Sequence, residues 1–93
     1  MSQPTIVTNL VPANNATVPA GVNTVSWRCE NATAYEVYFW VTSSSEPLTP
    51  TAVLYNTTYT TVSLGSGKIY HWYVIARNGG KWCKSDKFTI NVA

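Results

Sequence analysis

Leu64-Gly65-Ser66-Gly67-Lys68-Ile69-Tyr70-His71-Trp72-Tyr73-Val74-Ile75-Ala76-Arg77-Asn78 is the stretch on which the fold turns. It opens with a glycine-rich turn at Gly65-Ser66-Gly67 and continues as an alternating run. Tyr70, Trp72, Val74 and Ala76 share one parity; His71, Tyr73, Ile75 and Arg77 share the other. Period-two alternation in aromatic and β-branched residues describes a strand with two distinct faces.

The same signal recurs outward from it. Residues 22–29 alternate Val25, Trp27 and Cys29 against Thr24, Ser26 and Arg28. Residues 34–42 place Tyr35, Val37 and Phe39 on one parity and Glu36, Tyr38 and Trp40 on the other, with both sides rich in apolar groups. Shorter strands are predicted over 4–11, 52–55 and 58–64, and a last one over 84–92 carries Phe88, Ile90 and Val92 on one face. Pro12, Asn14-Asn15, Pro19-Ala20-Gly21, 43–50 and 78–82 break the chain between them. No segment has a helical apolar period. Seven short strands about 10 residues apart describe an all-β, two-sheet sandwich, with a single domain over 4–93 and a free N-terminal end at 1–3.

Composition narrows the function classes. Charged residues make up 11% of the 93-residue chain and the formal net charge is +2, too small and scattered for a nucleic-acid surface. No apolar run approaches the roughly 18–20 residues of a membrane helix, so membrane insertion is not expected. The start, Met1-Ser2-Gln3-Pro4-Thr5, lacks the basic and apolar regions of a signal peptide. Met1 therefore reads as the start of a domain excised from a longer chain, the alternative being a complete cytosolic protein. Two cysteines, Cys29 and Cys83, suit an oxidising compartment. Three Asn-x-Thr sequons, at Asn15, Asn31 and Asn56, are possible glycosylation sites and favour an extracellular setting, secreted or on the cell surface.

Motifs along nearly the whole chain resemble a fibronectin type III domain of the kind found in microbial extracellular proteins. They are Leu10-x-Pro12-x-Asn14, Val25-Ser26-Trp27, Tyr35-Glu36-Val37-Tyr38, Leu64-Gly65-Ser66-Gly67-Lys68-Ile69-Tyr70, Tyr70-x-Trp72-x-Val74-x-Ala76-x-Asn78-Gly79-Gly80 and Ser85-x-x-Phe88. The resemblance implies a seven-strand immunoglobulin-like sandwich of two antiparallel sheets, with strands one, two and five against strands four, three, six and seven. It implies a structural corner of Leu64, Gly67 and Tyr70, although Ser66 stands where the family usually has proline. It directs Trp27, Tyr35, Val37, Phe39, Tyr70, Trp72 and Val74 inward. Glu36, Tyr38, Trp40, His71, Tyr73, Ile75 and Arg77 are left on the outer face. The cysteines are not part of the family pattern. In the implied topology their loops share one end of the sandwich, and a Cys29–Cys83 disulfide between the sheets is expected.

Catalytic chemistry finds no foothold in the pattern. His71 is the one histidine, which excludes a histidine-based metal cluster, and the carboxylates Glu30, Glu36, Glu46 and Asp86 form no acid/base pair by spacing. Gly79-Gly80 precedes no helix and is not a phosphate loop. No catalytic residue, metal or cofactor is expected. Tyr38 beside Tyr73 and Trp40 beside His71, bordered by Val53 or Tyr55 and extended by Ile75, form a candidate interface; the competing reading is cross-strand pairing that only stabilises the sheet. Trp82 is either a loop-tip anchor or a lid on the open end of the sandwich. Three non-catalytic functions fit: an extracellular interaction or spacer module within a larger secreted or surface protein, a carbohydrate-binding module using exposed aromatics, or a self-associating subunit of a surface filament. The partner is accordingly a protein, a glycan or a second copy. There is no Arg-Gly-Asp tripeptide to support integrin-type adhesion.

Overall fold

A computed structural model describes Gln3, Pro4 and residues 6–93. These residues form nine strands and no helix: β1 (Thr8–Val11), β2 (Ala16–Val18), β3 (Thr24–Arg28), β4 (Ala34–Val41), β5 (Ala52–Leu54), β6 (Thr58–Thr60), β7 (Ile69–Asn78), β8 (Lys81–Lys84) and β9 (Phe88–Val92). Met1, Ser2 and Thr5, which the sequence reading assigned to the free end and the first strand, lie outside the described residues.

One sheet has the order β1-β3-β6; the other runs β2-β9-β7-β4-β5, with β8 pairing β7. The decisive stretch is β7, the longest strand, paired to β4 antiparallel over eight residues, from Tyr70↔Val41 to Arg77↔Ala34. Its alternation becomes an inner face of Tyr70, Trp72, Val74 and Ala76, all buried. They meet Val25 and Trp27 of β3 and Tyr35, Val37 and Phe39 of β4. Trp27 and Trp72 lie 6.3 Å apart across the sandwich, and Phe88 closes on Trp72 at 6.2 Å. Burial of these large side chains is the main stabilising term in so short a chain.

The two strands beyond the expected seven have local causes. Residues 12–15 cross from the smaller sheet to the larger, where β2 pairs β9 in parallel, Ala16↔Ile90 to Val18↔Val92. The asparagines that read as breaks make this crossing. Asn14 Oδ1 accepts the Thr89 N–H at 2.8 Å, and Asn15, at φ 66°, donates its N–H to Thr89 O and accepts from Asn91 Nδ2. Asn tolerates that left-handed backbone better than most residues. β8 forms because Gly79-Gly80 is a two-residue hairpin turn, with Asn78↔Lys81 in register and Gly79 at φ 62°.

At the corner, Gly67 has φ 76° and Leu64 is buried. The Tyr70 hydroxyl accepts the Gly65 N–H at 3.2 Å. Tyr70→Phe removes that acceptor and should cost about 1–3 kcal/mol; an unchanged denaturant midpoint would show that the bond contributes nothing.

No disulfide joins Cys29 to Cys83. The expected bridge assumed that Cys83 ends a loop. It is instead paired opposite Ala76 within the hairpin, held in the larger sheet. Cys29 follows β3 in the smaller sheet, and its thiol donates to the Glu30 carbonyl at 3.5 Å. The cysteines therefore lend no support to an oxidising compartment.

Candidate functional site

The outer face of the larger sheet is built from alternate residues of β4 and β7. Register sets Tyr38 opposite Tyr73, Trp40 opposite His71 and Glu36 opposite Ile75. Tyr38 and Tyr73 stack, with centroids 4.7 Å apart and planes 13° from parallel. Trp40 stands edge-on to both His71, at 5.6 Å, and Tyr73, at 5.9 Å. Offset stacks and edge-to-face contacts are the favoured arrangements of aromatic quadrupoles. His71 Nδ1 lies 3.1 Å from Thr89 Oγ1. Arg77 Nε donates to Glu36 Oε1 at 2.7 Å, an ion pair exposed enough to contribute little.

Tyr73 is not the exposed interface residue that its parity suggested: only 5% of it is accessible. The Tyr38 ring covers one side. The Lys84 ammonium, brought over by β8, lies 4.4 Å from the ring centroid. Glu46, from the loop after β4, accepts the Tyr73 hydroxyl at 3.0 Å. Tyr73 is thus the centre of a small second core on the outer face, and Tyr38 and Trp40 are its half-buried rim.

The remaining candidates flank it. Ile75 is half-buried, and Tyr55 is exposed just past β5. Trp82 is neither loop tip nor lid. It lies in β8 opposite Arg77, about half exposed, with its carbonyl accepting Gln3 Nε2 at 2.6 Å. That tight hairpin was readable in Gly79-Gly80, the one signal that could have placed Trp82 on the sheet face. Asn15, Asn31 and Asn56 are all exposed; Asn56 Oδ1 accepts the Thr58 N–H at 3.3 Å, a turn closed within its own sequon. Val53, which the sequence offers with Tyr55 as a border of the patch, is exposed, and so is Leu48, which no sequence signal marks. An open cleft of about 620 Å³, lined by Thr8, Trp27, Arg28, Glu30 and Thr57 among others, shares no residue with the aromatic face.

No protein-family model and no curated protein matches the chain. Solved structures do: 33 chains match. A fibronectin type III-like protein from Clostridium thermocellum is 20% identical, with a TM-score of 0.71 over 99% of this chain and 96% of that one. The twitchin kinase region from C. elegans matches at 19% identity and a TM-score of 0.66, over 92% of this chain but only 16% of that one. FN3tt matches at 19% identity and a TM-score of 0.60, over 95% of this chain and 96% of that one. Identity this low speaks for architecture alone, and with the two-sheet topology already described it shows that the chain has the fibronectin type III fold.

Proposed function

We propose that the chain is a non-catalytic interaction module of an extracellular protein, binding a protein partner through the outer face of its larger sheet. The observation that carries this is the rim of Tyr38 and Trp40, aromatic side chains held rigid over buried Tyr73 yet still half accessible. Rings fixed in this way lose little conformational entropy on binding, which is why Tyr and Trp anchor interfaces. The three exposed sequons support the extracellular setting. A likeness covering only 16% of the twitchin kinase region supports the role of a module, since there the same fold is one part of a longer chain.

The test compares the wild type with a Tyr38→Thr/Trp40→Thr variant, immobilised and exposed to the secreted proteins of the source organism. Threonine keeps β propensity, so the variant should melt as a folded domain. Saturable retention of one protein by the wild type, lost in the variant, is the expected result. Equal retention by both would remove the face from binding. Saturable quenching of Trp emission by an oligosaccharide would replace the protein partner with a glycan.

A further inference from the structure

A second surface lies at the edge of the same sheet, apart from the aromatic rim. β5 ends the order β2-β9-β7-β4-β5, so among the described residues no strand pairs its outer side. An unpaired strand edge is a template for another extended chain, and proteins ordinarily blunt such edges. The others here carry recognisable devices. β1 has a register shift against β3, with Asn9 at φ 55°. β2 is three residues long and runs into Pro19, and β8 carries Lys81 and Lys84. β6 shows solvent only threonine side chains and half-buried Tyr59.

β5 is as short as β2, but it carries no charge, no register shift and no positive φ. It reads Ala52-Val53-Leu54, with Val53 52% exposed, and it is flanked by Tyr55 at 80% and Leu48 at 98%. It is also firmly placed, because the Thr51 hydroxyl accepts the Phe39 N–H at 3.0 Å and donates to the Phe39 carbonyl at 3.1 Å. A rigid edge presents its backbone groups without an ordering cost.

We propose that β5 is an association edge through which two copies of this chain pair, antiparallel, about a two-fold axis at Val53. Charge favours a second copy as the occupant. No charged residue occurs between Glu46 and Lys68, so β5, β6 and their connections carry no charge of their own. Glu46, the nearest along the chain, is turned back onto the Tyr73 hydroxyl, and Glu36, beside Val53 on β4, is held in its ion pair with Arg77. A two-fold contact sets each residue against itself or its mirror position, so any charge there would meet its own kind. An uncharged edge meets its copy without that penalty. The axis sets Val53 against Val53 of the other copy and Ala52 against Leu54. Val53 pairs with Glu36 on the outer face, and both outer faces would join into one.

The experiment is sedimentation and light scattering of the whole chain over a concentration series reaching the millimolar range. The wild type should pass from monomer to dimer. Val53→Lys, a common natural device on edges, should remain folded by circular dichroism and weaken association by roughly tenfold or more, because like charges then face each other across the axis. Val53→Glu should do the same. An equimolar mixture of the Lys and Glu variants should recover the dimer as a mixed pair, which reads association directly whatever either variant does to stability. Tyr38→Thr/Trp40→Thr should dimerise like the wild type, so a partner lost from the aromatic face and a copy lost from the edge give different results. A wild type monomeric throughout, undiminished association of Val53→Lys, or a mixture that fails to pair would each overturn the proposal.

Discussion

Trp72→Ala should leave the domain largely unfolded at physiological temperature. Trp72 is fully buried, at the meeting of Trp27 and Phe88. Truncating a buried aromatic costs about 3–5 kcal/mol, as lost transfer energy plus a cavity the neighbours fill only in part. Domains have about 5–15 kcal/mol to lose, and a chain this short belongs near the lower end. Calorimetry should show Tm falling by roughly 15 °C or more. Trp72→Phe separates volume from polarity. The indole N–H of Trp72 is buried without a hydrogen-bond partner among the described residues, so phenylalanine removes an uncompensated donor along with some volume and should cost far less than alanine. Equal losses in both variants would mean that the indole N–H is satisfied after all.

The second large effect comes from outside the main core. Tyr73→Ala removes the stacking partner of Tyr38, the ring beneath Lys84 and the donor to Glu46 together. About 3 kcal/mol should go, at the low end for a buried aromatic because the site borders solvent. A loss under 1 kcal/mol would show that the outer-face cluster adds nothing to stability. The phenol also leaves a signature in pH. Its pKa is pushed up from 10.0 to about 12, by burial first, then by its hydrogen bond to Glu46 and the charges of Glu46 and Tyr38. The folded state therefore holds this proton more tightly than the unfolded state. Its contribution is fully present below pH 10.0 and is lost as pH rises toward about 12. Burial raises Tyr35 and Tyr59 in the same direction. Tyr73→Phe should therefore flatten the loss of stability over that alkaline window, and an unaltered alkaline profile would count against the Tyr73–Glu46 bond.

The parts of this fold that can be read from sequence are those in which a residue's neighbours along the chain decide its environment. Alternation in β4 and β7 separates two faces, the family resemblance turns the Trp72 face inward, and antiparallel pairing then sets Tyr38 beside Tyr73 and Trp40 beside His71. Tyr73 shows where that reasoning stops. Its parity is outward, but Lys84 and Glu46 reach it from two other segments and bury it. β2 escapes for a similar reason: three residues between asparagines and a proline are a strand only because β9 lies beside them. Residues 78–82 read as an open loop in sequence, but the two-residue turn draws Cys83 into the hairpin opposite Ala76, where no bridge to Cys29 forms.

The crossing of residues 12–15 has a mechanical consequence. It leaves β2 and the last strand, β9, side by side and parallel. Once β1 has parted from β3, a pull toward the N-terminus acts on β2 at Ala16, while a pull toward the C-terminus acts on β9 at Val92, the opposite end of the paired segment. The two strands must then slide past each other, and their hydrogen bonds share the load instead of parting one by one. The Ala93 N–H bond to the Val18 carbonyl and the Asn14 and Asn15 bonds to β9 lie at either end of this seam. Tension along the chain thus meets a shear joint at β2 and β9 before it reaches Trp72 in β7.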